Sequence, residues 1–142
     1  MAAISILWRR IDTPGHDGCR LEGSDAGWRL DGTAVFRVGE ASAQLTYRVV
    51  CDSAWRTQNG QVRATNLLQF RRLNLVEGQT ADVPVAWLDV SGGSLSLLRQ
   101  RYERRTKTTY WYEAPRFDYA ALLEVTPDAF VRRYPGLWEM EP

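Results

Sequence analysis

The segment WRRIDTPGHDGCRL, residues 8–21, holds the residue types that most often carry chemistry in proteins. It contains the single histidine of the chain, His16, together with Asp12, Asp17 and Cys19. An imidazole beside a carboxylate can act as a general base, and a thiol beside an imidazole can act as a nucleophile. The cluster is therefore either a catalytic site or a turn held together by polar pairs.

The local sequence favours the turn. The tripeptide Thr13-Pro14-Gly15 is predicted to reverse the chain after a first strand, because proline fixes φ and glycine tolerates left-handed backbone. Asp12 can then accept backbone N–H bonds. His16 or Asp17 can reach one of the nearby arginines, Arg9, Arg10 or Arg20. The catalytic alternative is a hydrolase or isomerase that uses His16 with Asp12 or Asp52, and it rests on co-location alone. We therefore expect a protein that is not an enzyme and needs no cofactor.

The cysteine and histidine pattern also predicts no metal site. Zinc sites use three or four Cys, His or carboxylate ligands, whereas this chain has one histidine and two cysteines, Cys19 and Cys51, which are 32 positions apart. No phosphate-binding loop, GxGxxG or GxSxG pattern occurs. We expect two free thiols in a reducing cytoplasm, with a Cys19–Cys51 disulfide as the alternative.

Composition limits the functional classes. The 142 residues suit a single domain over residues 1–142, and 18 Lys and Arg balance 17 Asp and Glu. This balance argues against a nucleic-acid-binding protein, which must neutralise many phosphates. The N-terminal run AAISILW lacks the features of a signal peptide, and no apolar run approaches the roughly 18 residues of a membrane span. The sequence thus predicts a cytoplasmic protein with no membrane span.

Alternating apolar and polar residues predict a mainly β protein. The run QLTYRVVCD places Leu45, Tyr47, Val49 and Cys51 on one face of a strand. Further strands are predicted over DVPVAWLDV, SLSLLRQRYERR, TTYWYEA and FDYAALLEV. Turns are predicted at Asp31-Gly32, Val38-Gly39-Glu40, Asn59-Gly60, Glu77-Gly78 and Ser91-Gly92-Gly93. Helical structure is indicated at residues 65–75 and 127–133 alone.

Four stretches of the chain also resemble one known bacterial family. These are WRRIDTPGHDGCRL, YRVVCDSAWRT, ATNLLQFRRL and VRRYPGLWE, and they are similar to the family named "putative glycolipid-binding". The resemblance implies an antiparallel sheet curled into an incomplete barrel, as in bacterial lipoprotein carriers, and a glycolipid or another amphiphile as ligand. Compared with the family, this chain is shorter before Ala64, where Gln58–Arg63 alone joins the second and third stretches.

The leading functional hypothesis is binding of a lipid-like ligand in the concave face of the sheet. Its acyl part would be buried in an apolar pocket, while Arg and Trp side chains at the rim would hold the polar headgroup. The candidate rim residues are Trp8, Arg9, Trp55, Arg71, Arg72 and Trp87. The alternative is a protein-interaction domain whose aromatic face meets another chain, such as a second copy in a homodimer.

Overall fold

The computed structural model describes residues 3–61, 66–89 and 94–142, and these residues form mostly antiparallel β-strands. The elements are β1 (Ile4–Arg10), β2 (Gly15–Ser24), β3 (Gly27–Val38), β4 (Ala41–Cys51), β5 (Thr57–Gln61), α1 (Asn66–Leu73), β6 (Thr80–Asp89), β7 (Ser94–Arg104), β8 (Thr109–Ala114), a 3-10 turn (Pro115–Phe117), β9 (Tyr119–Val125), β10 (Val131–Tyr134) and β11 (Trp138–Met140). Within these residues, β5 and β6 each pair with one neighbouring strand, so the sheet does not close. The predicted fold class, mainly β and antiparallel with few helical turns, is confirmed.

The chain forms two compact units. Unit 1 contains Met1–Arg63 and Gly136–Pro142, and unit 2 contains Ala64–Pro135. That residues 1–142 make a single domain stays a prediction.

Unit 1 is a six-stranded antiparallel sheet in the order β5-β4-β3-β2-β1-β11. Its side chains alternate strictly between two faces, as period-two patterning requires. The buried face carries Trp8, Cys19, Leu21, Leu30, Tyr47 and Val49. The exposed face carries Leu7, Arg9, Arg20, Thr33, Thr46 and Arg48. The predicted face of Leu45, Tyr47, Val49 and Cys51 is the buried one.

The prediction of a turn at Asp31-Gly32 is wrong, because both residues lie in the middle of β3. Gly32 pairs with Tyr47 of β4, and the tyrosine ring lies across the glycine backbone. A Cβ at position 32 would sit 2.1 Å from Cζ of Tyr47, far inside van der Waals contact. Gly32 is therefore explained by close packing and not by chain reversal.

The other glycine signals divide between turns and strands. Gly39 and Gly78 have φ values of 60° and 82°, which confirms both predicted turns. The prediction at Asn59-Gly60 is wrong, since both residues pair with β4 as part of β5. The prediction at Ser91-Gly92-Gly93 lies outside the described residues.

Unit 2 is a five-stranded antiparallel sheet in the order β10-β9-β8-β7-β6, covered in part by α1. Phe70 of α1 packs on Tyr102 and Tyr110, with ring centroids 5.3 Å and 4.4 Å apart. Edge strand β6 contains Pro84, which pairs with Arg99 of β7. Proline has no backbone N–H to donate. Pro84 therefore disfavours the pairing of a further strand with the edge of β6.

Local helical structure is short. The helix indicated at residues 65–75 is confirmed as α1, whereas residues 127–133 form a hydrogen-bonded turn between Thr126 and Phe130 followed by β10. The 3-10 turn Pro115–Phe117 was not predicted, and it lies where the strand FDYAALLEV was expected to begin. Among the described residues, no helix has both the length and the apolar character needed to cross a membrane.

Candidate ligand-binding pocket

Unit 1 contains an open pocket of about 1180 Å³ that runs across β4, β3, β2, β1 and the end of β11. Three consecutive residues line it on each of β1, β2, β3 and β4, and these four segments pair with one another across the sheet. The lining residues are Ser5, Ile6, Leu7, Gly18, Cys19, Arg20, Asp31, Gly32, Thr33, Thr46, Tyr47, Arg48, Met140, Glu141 and Pro142.

The pocket lies on the exposed face of the unit 1 sheet. The central residue of each strand segment belongs to one cross-strand row, in which Ile6 pairs with Cys19, Cys19 with Gly32, and Gly32 with Tyr47. Their side chains belong to the buried face, so this row supplies backbone to the floor. The walls are two further cross-strand rows of exposed-face residues, one on either side of the central row. One wall is the row Ser5, Arg20, Asp31 and Arg48, and the other is the row Leu7, Gly18, Thr33 and Thr46.

One wall of the pocket carries Arg20, Asp31 and Arg48, whose ion pairs continue beyond the pocket to two further charged side chains. Arg20 contacts Glu22 at 2.7 Å, and Arg29 contacts Asp31 at 2.8 Å. Glu22 also pairs with Arg29, and Asp31 also pairs with Arg48. Each carboxylate is thus shared by two guanidinium groups. Hydrogen-bond donors of Arg20 and Arg48 and acceptors of Asp31 therefore line the pocket next to one another. We call these five side chains the ion ladder.

The opposite wall is less polar. Leu7 is 48% exposed, and it lies in the same cross-strand row as Gly18, Thr33 and Thr46. Gly18 leaves the surface beside Leu7 open, and the two threonine hydroxyls border it. This wall therefore combines an apolar surface with hydroxyl groups.

Sequence comparison gives the family of the chain. The family described as "Putative glycolipid-binding" matches residues 5–65 and residues 62–140. The chain belongs to this family. The two matched segments meet at residues 62–65, beside Gln58–Arg63, and the shortening of the chain there relative to the family stays a prediction.

A solved structure supports the fold. A crystal structure of a DUF1089 family protein from Pseudomonas aeruginosa is similar with a TM-score of 0.54 and 18% sequence identity, and the match covers 98% of this chain and 92% of that chain. No curated protein matches the sequence significantly. At this identity the likeness concerns the fold alone.

The first family stretch, residues 8–21, forms β1, the predicted turn and most of β2, and it brings Gly18, Cys19 and Arg20 to the pocket. Below the floor, the hydroxyl of Tyr47 donates a hydrogen bond to Oδ1 of Asp17 at 3.0 Å. Burial and, to a smaller extent, the Asp17 carboxylate together raise the pKa of Cys19 to about 12. The Cys19 thiol is therefore protonated at neutral pH and is a poor nucleophile.

His16 lies outside the pocket on the exposed face. Its Nε2 is 3.3 Å from Oε1 of Glu141, and the side chain is 55% exposed. Asp12 is bound elsewhere, since Nε of Arg10 donates to its Oδ1 at 2.8 Å. This hydrogen bond is the main cause that lowers the pKa of Asp12. The predicted turn between β1 and β2 is confirmed, but its polar pairs differ from the predicted ones, because His16 contacts Glu141 and not a nearby arginine.

The strand register separates His16 from Asp52. His16 pairs with Val35, Val35 pairs with Gln44, and Asp52 follows Gln44 by eight residues. At 3.3 Å per residue this is on the order of 25 Å along β4. Asp52 instead accepts hydrogen bonds from the backbone N–H groups of Ala54 and Arg56, both at 2.9 Å, which lower its pKa. The structure does not bring together the predicted acid–base pair of His16 and Asp52.

The two thiols are free and buried. Cys19 pairs with Gly32, and Cys51 pairs with Trp28, four residues away along β3. The expectation of free thiols holds, and the disulfide alternative is wrong because the two residues lie about 13 Å apart along the sheet. In residues 3–61, 66–89 and 94–142, no three His, Cys, Asp or Glu side chains are grouped as metal ligands.

Three of the six predicted rim residues belong to unit 1, and they point in different directions. Trp8 is 7% exposed on the buried face. Arg9 is on the exposed face and contacts Glu139 at 3.3 Å and Glu141 at 3.7 Å, so it borders the pocket through Glu141. Trp55 follows β4 with φ of 63° and stacks on Trp28, with ring centroids 4.4 Å apart.

The other three belong to unit 2. Arg71 donates two hydrogen bonds to the carbonyl oxygen of Asp128, at 3.1 Å and 2.7 Å, while Arg72 is exposed on α1. Trp87 lies beside Arg116, whose Cζ is 4.9 Å from the ring centroid. None of the six lines the pocket, and the role of each in ligand binding stays a prediction.

Sequence reasoning missed the pocket residues because their pattern is ordinary. Thr33, Thr46, Arg20 and Arg48 occupy the polar positions of alternating strands, where any solvent-facing sheet carries such residues. Gly18 and Gly32 are the usable signal. Two glycines inside strand patterns, in adjacent rows of neighbouring strands, indicate that something packs close to the backbone there.

Proposed function

We propose that the chain binds a glycolipid or a similar amphiphile, without converting it, in the pocket on the exposed face of unit 1. The observation that carries this proposal is the composition of the pocket, which sets an apolar wall around Leu7 against the ion ladder. Membership of the glycolipid-binding family supports the same ligand class.

The size of the pocket suits part of an amphiphile. Small-molecule pockets are typically about 300–1000 Å³, and this one has about 1180 Å³ with an open mouth. A sugar and the first part of an acyl chain would fit, and the acyl part would gain about 25 cal/mol for each Å² of apolar surface that it buries. Leu7, exposed on the wall of the pocket, is the apolar surface for that part.

The polar wall suits a neutral sugar better than a phosphate. Arg20 and Arg48 already pair with Glu22 and Asp31, so they do not offer uncompensated positive charge. Sugar hydroxyls both donate and accept hydrogen bonds, and a wall that alternates guanidinium and carboxylate groups satisfies both roles. We therefore propose an uncharged glycosyl headgroup.

The state of the reactive groups near the pocket supports the proposal of binding without turnover. Cys19, below the floor, keeps its proton because burial raises its pKa to about 12. His16 contacts Glu141 and lies apart from Asp52. The two free thiols also suit a reducing compartment, so a cytoplasmic location belongs to this proposal.

The test uses octyl glucoside below its micellar concentration as the probe, with isothermal titration calorimetry as the readout. Thr33→Trp places a large side chain into the pocket, and we expect the affinity to fall roughly tenfold or more, since the probe loses its apolar contacts. Val35→Trp is the matched control, because Val35 is exposed on the same face of β3 but does not line the pocket. This control should bind the probe as the unchanged protein does.

Native mass spectrometry of protein purified without detergent is the second measurement. A retained molecule with the mass of a glycolipid, absent from Thr33→Trp, supports the proposal and names the headgroup. Equal probe affinity for Thr33→Trp and Val35→Trp would overturn the assignment to this pocket. A dimer that persists on dilution and retains no small molecule would favour the protein-interaction alternative.

A further inference from the structure

A smaller pocket of about 290 Å³ lies at the end of unit 1 where β2 turns into β3. On its inner side it is lined by Glu22, Arg29 and Val50, which form one cross-strand row. On its outer side it is lined by Ser24, at the end of β2, and by Ala26 in the turn. We call this the second pocket, and the pocket across β1 to β4 the first pocket.

The second pocket opens on the same face of the sheet as the first. Arg29 contacts the carboxylate of Asp31, which lines the first pocket, at 2.8 Å, so the two side chains point to one face. The buried-face residues nearest to the second pocket are Leu21, Leu30 and Val49, and none of them lines it. Both pockets therefore belong to one continuous surface.

The ion ladder lies between the two pockets. Arg20, Asp31 and Arg48 line the first pocket, while Glu22 and Arg29 line the second. The contact between Arg20 and Glu22 at 2.7 Å and the contact between Arg29 and Asp31 connect the two groups. Hydrogen-bonding side chains thus follow one another from one pocket to the other.

The strand register gives the distance between the pockets. The central row of the first pocket contains Gly32, and the central row of the second contains Trp28, four residues away along β3. Four residues of a strand correspond to about 13 Å. One sugar ring is shorter than this distance, whereas a short oligosaccharide spans it.

The chemistry of this face changes in one direction along the strands. The apolar wall with Leu7 and Thr33 comes first, the ion ladder follows, and the second pocket comes last. A glycolipid has the same order, since its acyl chain is followed by a first sugar and then by outer sugars. The face therefore matches a ligand that lies parallel to the strands.

The second pocket suits an uncharged group. The cation in its lining, Arg29, contacts both Glu22 and Asp31, and Asp25 stands between the lining residues of the turn. A phosphate or a carboxylate would meet this negative charge, whereas sugar hydroxyls can accept from the guanidinium and donate to the carboxylate. The volume is at the lower end of the range of about 300–1000 Å³ for small-molecule pockets, which suits a single sugar ring.

We propose that the second pocket is a subsite for the outer sugar of an oligosaccharide headgroup, so that the ligand is a glycolipid with several linked sugars. This inference rests on the proposed function, because the acyl chain and the first sugar bind in the first pocket. The sugars between the two pockets contact the ion ladder.

Isothermal titration calorimetry with octyl glucoside, octyl maltotrioside and octyl cellotrioside, each below its micellar concentration, tests the subsite. The three probes share one alkyl chain, and the two longer headgroups differ in their linkage. At least one longer probe should bind roughly tenfold more tightly than octyl glucoside, because its outer sugar adds hydrogen bonds in the second pocket.

Ser24→Trp and Ala26→Trp each fill the second pocket from an exposed position. Both variants should lose the tenfold gain and bind octyl glucoside as the unchanged protein does. Asp25→Trp is the matched control, because Asp25 is exposed in the same turn but does not line the pocket, and it should keep the gain. Equal melting temperatures will show that the three variants are folded.

The outcomes separate this inference from the proposed function. Octyl glucoside binding that Thr33→Trp removes, with no gain for either longer probe, would overturn the second subsite and leave the proposed function intact. A gain that Ser24→Trp and Ala26→Trp both keep would do the same, as would a retained glycolipid with a single sugar in native mass spectrometry. If none of the probes binds, the proposed function fails and the subsite fails with it.

Discussion

Both units bury tyrosine hydroxyls on a sheet face, but they satisfy them differently. In unit 1 the ring of Tyr47 lies across Gly32, and its hydroxyl donates to the carboxylate of Asp17 at 3.0 Å. In unit 2 the amide of Gln100 lies between two tyrosines, accepting from Tyr102 at 3.0 Å and donating to Tyr112 at 2.7 Å. A buried hydroxyl needs both space and a partner, and the two units obtain them from different residue types.

This difference locates the weak point of each unit. Unit 1 depends on an absent side chain, since its tyrosine fits because position 32 has no Cβ. Unit 2 depends on one amide that serves two hydroxyls at once. Steric substitutions should therefore be most damaging in unit 1, and polar ones in unit 2.

The largest expected effect is that of Gly32→Ala. The new methyl group would overlap the Tyr47 ring and displace its hydrogen bond to Asp17, and we expect unfolding to become easier by about 3 kcal/mol. Denaturant titration measures the change. Gly18→Ala is the control, because a Cβ there meets Cδ1 of Leu7 at an ordinary 3.5 Å. Equal stability of the two variants would show that the close contact at Gly32 is not needed.

A smaller loss is expected for Gln100→Leu in unit 2. The hydroxyl of Tyr102 would lose its acceptor inside the core, which should lower the free energy of unfolding by about 2 kcal/mol. Gln44→Leu, at an exposed position of β4, should change the free energy by no more than about 0.5 kcal/mol. If Gln100→Leu were as stable as Gln44→Leu, the amide bridge would contribute nothing to unit 2.

The pH dependence of stability should come partly from unit 1, which contains both cysteines. The pKa of Cys19 rises from 9.0 to about 12 on folding. Above pH 9 the unfolded chain loses this proton while the folded chain keeps it, so stability falls as pH rises toward 12. The slope from this one group approaches about 1.4 kcal/mol per pH unit. Denaturation curves at several pH values should show a shallower decline for Cys19→Ala, and parallel curves would contradict the assignment.

Substitutions of charged residues on the exposed faces should change the free energy of unfolding least. Asp31→Asn removes a carboxylate that contacts Arg29 and Arg48 in the ion ladder, and its side chain is 33% exposed. Surface pairs of this kind contribute little, so we expect a loss of about 0.5 kcal/mol that vanishes in about 1 M salt. Arg99→Gln in unit 2 should leave the melting temperature unchanged, because the contacts described for this part of the chain give Arg99 no ion pair to lose.

The sequence predicts the β architecture well because period-two alternation is strong. The face of Tyr47, Val49 and Cys51, the four strands β6 to β9 of unit 2 and the turns at Gly39 and Gly78 follow from local pattern and glycine conformation, whereas β10 was not predicted. The glycines at 32 and 60 were assigned to turns because a glycine in a strand and a glycine in a turn look alike locally. What distinguishes Gly32 is a tyrosine on the neighbouring strand, and strand pairing is a long-range property.

The candidate site was harder to predict than the fold. Trp8, Trp55 and Trp87 were chosen for their residue type, but they lie on the buried face of β1, in the loop after β4 and at the end of β6. The pocket is instead built from Thr33, Arg48 and their row neighbours, whose alignment depends on the register of four strands. Neither composition nor a single-strand pattern contains that register.

The stack of Trp28 and Trp55 has an optical consequence. Two indole rings with centroids 4.4 Å apart and planes within 18° of parallel are close enough for their electronic transitions to couple. Such a pair changes its circular dichroism and its fluorescence when the rings separate. Because both tryptophans belong to unit 1, the stack provides an intrinsic spectroscopic reporter for that unit, and melting followed at this signal can be compared with melting of the whole chain without any added label.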